Sequence, residues 1–285
     1  MIERLENNLD FSNSNIDKTK PYLSISEVLG MLQEEFDREG VAQKTYDKNY
    51  NNPESKYYHM SVEEIMEAWS AKGAESCKYG SMLDDYIGMN LNEDNSAKLE
   101  MWKLDNNYEW DERLLGLCNS FDHFMELVTR SGDIKFVTRE KTLYYKVPNT
   151  DYYIKGRFDA LFYNEKEKKW IVIDWKSSGS VDKKKGPWTK NLFGPMMQFP
   201  ALNWYTYTTQ VHFYKLALLQ SGYLPEGTTA NDIVVLIVQL PGTKLENDKD
   251  YAIHQQAFEF DPGLLGRLFQ YAVKKKELQK SMENV

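Results

Sequence analysis

The chain has 285 residues, 41% hydrophobic and 14% aromatic, enough to fill the core of an enzyme-sized protein. No run approaches the roughly 18 to 20 uncharged apolar residues of a membrane helix, and MIERLENNLDFSNSN is too polar for a signal peptide, so no membrane partner and a cytoplasmic location are expected. A net charge of -8 excludes a partner bound by overall basicity, but carboxylates that hold divalent cations are themselves acidic, so only local basic runs can speak for nucleic acid.

Residues 1–20 are polar and aperiodic and predict a flexible arm, followed by one domain over 21–285 whose first part, to residue 130, is helical. Ser24-Ile25-Ser26-Glu27 has capping-box spacing and opens an amphipathic helix to about Asp37; Val41 to His59, rich in Tyr, Lys and Asn, reads as loop. A second capping box, Ser61 to Glu64, starts a helix that Gly73 is expected to interrupt, with another from about Ala74 to Met89 and an amphipathic one from Asp111 to Thr129. Cys77 and Cys118 fall in these helices without C-x-x-C spacing and read as buried thiols. At Gly132 the periodicity changes to alternation. Ile134 to Val147, Tyr152 to Tyr163 and Lys169 to Lys176 predict three consecutive antiparallel strands. A loop over Ser177 to Pro200, a helix from about Asn203 to Ser221, a buried strand Ile233 to Leu240, a further strand within Tyr251 to Phe260 and a closing helix from Pro262 to about Met282 complete the chain. The fold class is α/β: a central mixed sheet over residues 131–285 flanked by helices.

The chemistry is concentrated in Gly156-Arg157-Phe158-Asp159, then fourteen residues, then Asp174-Trp175-Lys176. Strand alternation sends Asp174 and Lys176 to one face and Trp175 to the other, and the preceding strand folds back to bring Asp159 close. Two carboxylates and an ammonium then share a patch. Carboxylates suit a hard divalent cation such as Mg²⁺, which can make water nucleophilic and offset charge on a phosphate, while the lysine orients the water. A lone D-x-K is common by chance; the upstream G-x-x-D on an adjoining strand is what raises it above a surface salt bridge.

G-R-F-D, D-W-K and Gln210-x-x-x-Tyr214, in this order, resemble the RecB-type nucleases of the PD-(D/E)XK superfamily, especially exonuclease-like proteins of phages and large DNA viruses. The resemblance extends upstream through Phe36-Asp37, Met60, Glu63-Glu64-Ile65, Trp69, Gly73 and Gly80-Ser81. It implies a restriction-endonuclease-like fold, with Asp159 and Asp174 as ligands of Mg²⁺ or Mn²⁺, the backbone carbonyl of Trp175 as a further ligand, and Lys176 as the catalytic lysine. Gln210 and Tyr214 share one helical face and would point into the cleft. Where such proteins usually carry G-[ST]-x-x-H, this chain has Asp84 in place of the histidine; a carboxylate suits these metals equally, so Asp84 is expected as a ligand. Glu140 stands where the branch often has an acidic residue.

The activity this implies is metal-dependent hydrolysis of DNA, exonucleolytic from a duplex end or on a single strand, in phage or viral DNA processing within the host cytoplasm. A recombination or annealing protein is a further partner. An endonuclease acting on branched DNA or RNA, and a non-catalytic DNA-binding module, remain open. Lys183, Lys184, Lys185 and Lys190, with Trp188 among them, predict a DNA-binding loop; Lys274, Lys275, Lys276 and Lys280 read as a solvated helix face. Neither glycine-rich phosphate motif occurs, so no nucleotide cofactor is expected.

Overall fold

The structure, a computed structural model, describes residues 9, 11–13, 16–91, 101, 111–177, 186, 189–245, 253–256 and 261–283. In chain order it contains β1 (Tyr22–Ser24), α1 (Ile25–Gly30), α2 (Arg38–Asn49), α3 (Val62–Leu91), α4 (Glu112–Arg130), β2 (Ile134–Arg139), β3 (Thr142–Lys146), β4 (Tyr153–Arg157), β5 (Ala160–Asn164), β6 (Lys169–Lys176), α5 (Asn203–Ser221), β7 (Ile233–Gln239), β8 (His254–Gln256) and α6 (Pro262–Glu283). A central mixed sheet runs β2-β5-β6-β7-β8, with β6 and β7 parallel and the other pairs antiparallel. A smaller sheet runs β1-β4-β3, with β1 and β4 parallel. Helices flank the sheets, the helical section comes first, and the fold is the restriction-endonuclease-like one.

Two of the three strands expected after Gly132 are each broken in the middle. The first splits into β2 and β3 at Glu140, which takes a left-handed φ of 51°, just after a register shift between Phe136 and Thr138. The second splits into β4 and β5 at Phe158-Asp159. A non-glycine residue at positive φ ends regular pairing, and a bulge bends its strand. One long hairpin thus serves two sheets, with Glu140 N–H still donating to the Asp159 carbonyl across the bend at 3.2 Å. Phe158 is fully buried between the layers, edge-on to Phe11 and Tyr214. Gly156 admits this packing: a Cβ there would lie 2.6 Å from the Phe213 ring.

The helical section differs from expectation in three places. The first helix stops at Gly30, and Asp37 instead caps α2 by accepting from Gly40 N–H at 2.9 Å, so part of the expected 41–59 loop is helical. Gly73 does not interrupt α3, since its surroundings are open and a single glycine costs a helix only about 1 kcal/mol. Cys118 is buried as expected, whereas Cys77 is exposed. Within the stretch expected to be a loose arm, Phe11 packs on the core and Asn13 donates to the Thr142 carbonyl at 3.1 Å.

Two cores lie against the central sheet. Trp170 and Val172 of β6 face one, shared with α5 and α6; Ile173 and Trp175 face the other, shared with α3 and α4. The alternation therefore carries Asp174 and Lys176 onto the α5 face at the strand's end. No helix among the described residues is long and apolar enough to cross a membrane.

Candidate active site

Asp159 sits at the break between β4 and β5, level with the end of β6, and its Oδ2 accepts from the Trp175 backbone N–H at 2.7 Å. Asp174 is 1% exposed, and Lys176 Nζ lies 2.5 Å from its Oδ2. That contact is an ion pair between a buried carboxylate and the ammonium. The same ammonium stands 4.4 Å from the centroid of the Tyr207 ring, an attraction between a cation and a π face. The Trp175 ring packs edge-on against Phe121 and Phe124 on the opposite side of the sheet.

Burial, and after it the charge of Asp174, pushes the Asp159 carboxyl well above the usual carboxylate range. Burial likewise raises Asp174, with Lys176 opposing the shift. Burial alone would lower the Lys176 ammonium, but Asp174 and then Asp159 outweigh it, and Lys176 stays charged. Two carboxylates thus share one ammonium. Two buried carboxylates that share one ammonium and line one cavity fit a hard divalent cation, whose charge would let both ionise.

These three groups open on a cavity of about 270 Å³ that Asp84, Glu140, Trp175 and Gln210 also line. Asp84 comes from α3, but its Oδ1 accepts from Arg139 Nη2 at 2.9 Å. Burial raises its pKa while Arg139 opposes. Glu140 lies between two guanidinium groups, 3.4 Å from Arg139 and 3.2 Å from Arg157. Among the described residues no group of three or more His, Cys, Asp or Glu side chains is arranged to hold a metal ion. Asp159 and Asp174 come together; Asp84 faces them across the cavity, tied to an arginine.

Gln210 lines the cavity and donates from Nε2 to the hydroxyl of Tyr214, which is buried behind it at 2.8 Å. Burial holds that phenol protonated. Lys190 is ion-paired with Glu34; Lys183, Lys184, Lys185 and Trp188, expected to bind DNA beside it, lie outside the described residues. Sequence reasoning missed Tyr207, Arg139 and Arg157. Tyr207 precedes Gln210 by one helical turn and was visible as part of an i, i+3, i+7 face with Tyr214.

The family model described as "PD-(D/E)XK nuclease superfamily" matches residues 44–284. No curated protein matches the sequence. Among solved structures, one titled "Crystal structure of SSO0001" is similar at 12% identity, covering 93% of this chain and 81% of that one, with a TM-score of 0.31.

Proposed function

The chain belongs to the PD-(D/E)XK nuclease superfamily, and from that premise we propose that it is an exodeoxyribonuclease of the RecB-type branch, using Mg²⁺ or Mn²⁺ to hydrolyse DNA from an end in phage or viral DNA processing. The observation that carries the reading is the meeting of Asp159, Asp174 and Lys176 in one cavity with Gln210 beside them. Nucleases of this superfamily generally use divalent metals such as Mg²⁺. Held by Asp159 and Asp174, with Asp84 and the Trp175 carbonyl as further ligands, such a cation would acidify a water and offset charge on the phosphate.

The chain's own groups supply the rest. Lys176, steadied by Asp174 and Tyr207, orients the attacking water and balances charge gathering on the phosphate oxygens. Gln210, braced by Tyr214, offers a polar contact to the strand at the cavity edge. Glu140 holds Arg157 at the mouth. A second cavity of about 370 Å³ shares Arg157 and Gln210 with the first and adds Ser24, Tyr144 and Lys155, with no carboxylate in its lining. An acidic centre continued by a basic, hydroxyl-lined groove suits a polynucleotide better than a small phosphoester.

Turnover of end-labelled linear DNA against closed circular DNA, with Mg²⁺ or Mn²⁺, tests the reading. Nucleotides released from the linear ends alone support an exonuclease. Nicking of the circle assigns the alternative endonuclease, and no cleavage of either with any divalent metal removes the nuclease reading.

A further inference from the structure

We propose that Arg139 is a positioning residue of the metal centre, a clasp that fixes the carboxylates of Asp84 and Glu140 at the cavity. The proposal rests on the reading in which Asp84 ligates the metal. Arg139 ends β2, and its side chain is only 13% exposed. Nη2 binds Asp84 Oδ1 at 2.9 Å and lies 3.4 Å from Glu140 Oε2. The arginine takes Asp84 through Oδ1, and Asp84 itself lines the cavity, which assigns Oδ2 to the cation. A ligating carboxylate is commonly held this way, one oxygen on a fixed donor and the other on the cation.

Two features show that the guanidinium is seated with little freedom. Its Nη1 lies over Gly88, one helical turn after Asp84 on the same face of α3, and a Cβ at Gly88 would stand 1.9 Å from it. Its Nε is buried without a partner, a cost that the contacts at the far end of the side chain offset. The clasp is also anchored to the centre itself. The residue after Arg139 is Glu140, whose left-handed backbone donates to the Asp159 carbonyl. Arg139 therefore ties α3, which carries Asp84, to the bend that carries Asp159. Asp84 and Glu140 repel one another, and the guanidinium, within 3.4 Å of both, relieves that repulsion.

A purely structural ion pair between α3 and β2 would affect stability alone; a clasp affects metal affinity. The test measures Mn²⁺ binding calorimetrically on the full chain, without DNA, and the Mg²⁺ concentration giving half-maximal cleavage. Arg139→Gln should weaken both by about 10- to 100-fold, the range for outer-shell partners of metal ligands, while the rate at saturating metal changes much less. Gly88→Ala should weaken them in the same sense by displacing the guanidinium with its charge retained, and it carries the test if Arg139→Gln fails to fold. Asp84→Asn combined with Arg139→Gln should bind Mn²⁺ no worse than Asp84→Asn alone, because both act through one ligand. If Asp84→Asn weakens Mn²⁺ binding but Arg139→Gln and Gly88→Ala do not, the clasp is overturned and the assignment of Asp84 stands. If Asp84→Asn binds Mn²⁺ as tightly as the wild type, Asp84 is no ligand and the clasp falls with it.

Discussion

Asp159→Asn should make the metal-free protein more stable while abolishing cleavage. Asp159 and Asp174 are buried with a single ammonium, Lys176, which pairs with Asp174 and acts on both. Asparagine keeps the volume and an oxygen to accept from Trp175 N–H, and removes the excess charge. Replacing a whole buried ion pair by apolar groups of similar volume is neutral or stabilises proteins by about 1 to 4 kcal/mol, and removing one of two like charges here acts in the same direction. Because this pocket opens on a cavity and Asp159 keeps one hydrogen bond, the lower half applies, about 1 to 2 kcal/mol. For a chain of this size that is about 2 to 8 °C in Tm. The sign with pH follows from the raised pKa: between the carboxylate's unfolded value, about 4, and its higher folded value, the native state holds a proton that the unfolded chain has lost. Metal-free wild type therefore loses stability as pH rises through that window, and the advantage of the variant grows across it. Thermal unfolding in EDTA from pH 5 to 8.5 measures both. Saturating Mg²⁺ should reverse the order, since a ligand at one hundred times its Kd adds about 2.7 kcal/mol to the wild type. A variant no more stable than wild type in EDTA at any pH would refute the argument that the two carboxylates are held together against their repulsion.

Lys176→Met should lose cleavage at saturating Mg²⁺ and, by leaving two carboxylates without their cation, cost the metal-free fold about 3 to 5 kcal/mol, read by urea unfolding in EDTA. Asp84→Ala should sharply raise the Mg²⁺ needed for cleavage, with Asp84→His recovering part of the activity most readily in Mn²⁺; a metal titration identical to wild type would make Asp84 an ordinary helix residue. Replacing Lys183, Lys184 and Lys185 by Ala should flatten the salt dependence of duplex binding by up to about 0.9 per lost phosphate contact and spare turnover at saturating DNA. An unchanged slope in a binding assay moves the DNA path elsewhere, starting with the groove at Lys155 and Arg157.

The centre was legible because its geometry is local. Strand alternation alone places Asp174 and Lys176 on one face and Trp175 on the other, and Val172 joining one core while Ile173 and Trp175 join the other follows that rule. Gln210 and Tyr214, four residues apart on a helix, could only share a face. What escaped the sequence is what depends on distant partners. The bends at Glu140 and at Phe158-Asp159 are silent because alternation continues through both, and it is the buried Phe158, packed on Phe11 and Tyr214, that marks the turn between sheets. The helix α2 buries only Ala42 and shows no apolar stripe, so its tyrosines and lysines read as loop. Arg139 meets Asp84 across 55 positions of sequence, a pairing no periodicity reveals.

Single-turnover cleavage of a labelled DNA strand by the wild type, Asp174→Asn and Lys176→Met, each with Mg²⁺ and with EDTA, tests most directly whether Asp159, Asp174 and Lys176 form a metal-dependent hydrolytic centre. The account predicts cleavage by the wild type with Mg²⁺, none in EDTA, and none by either variant although both still bind DNA. Cleavage that survives EDTA, or that proceeds at the wild-type rate in either variant, would contradict it.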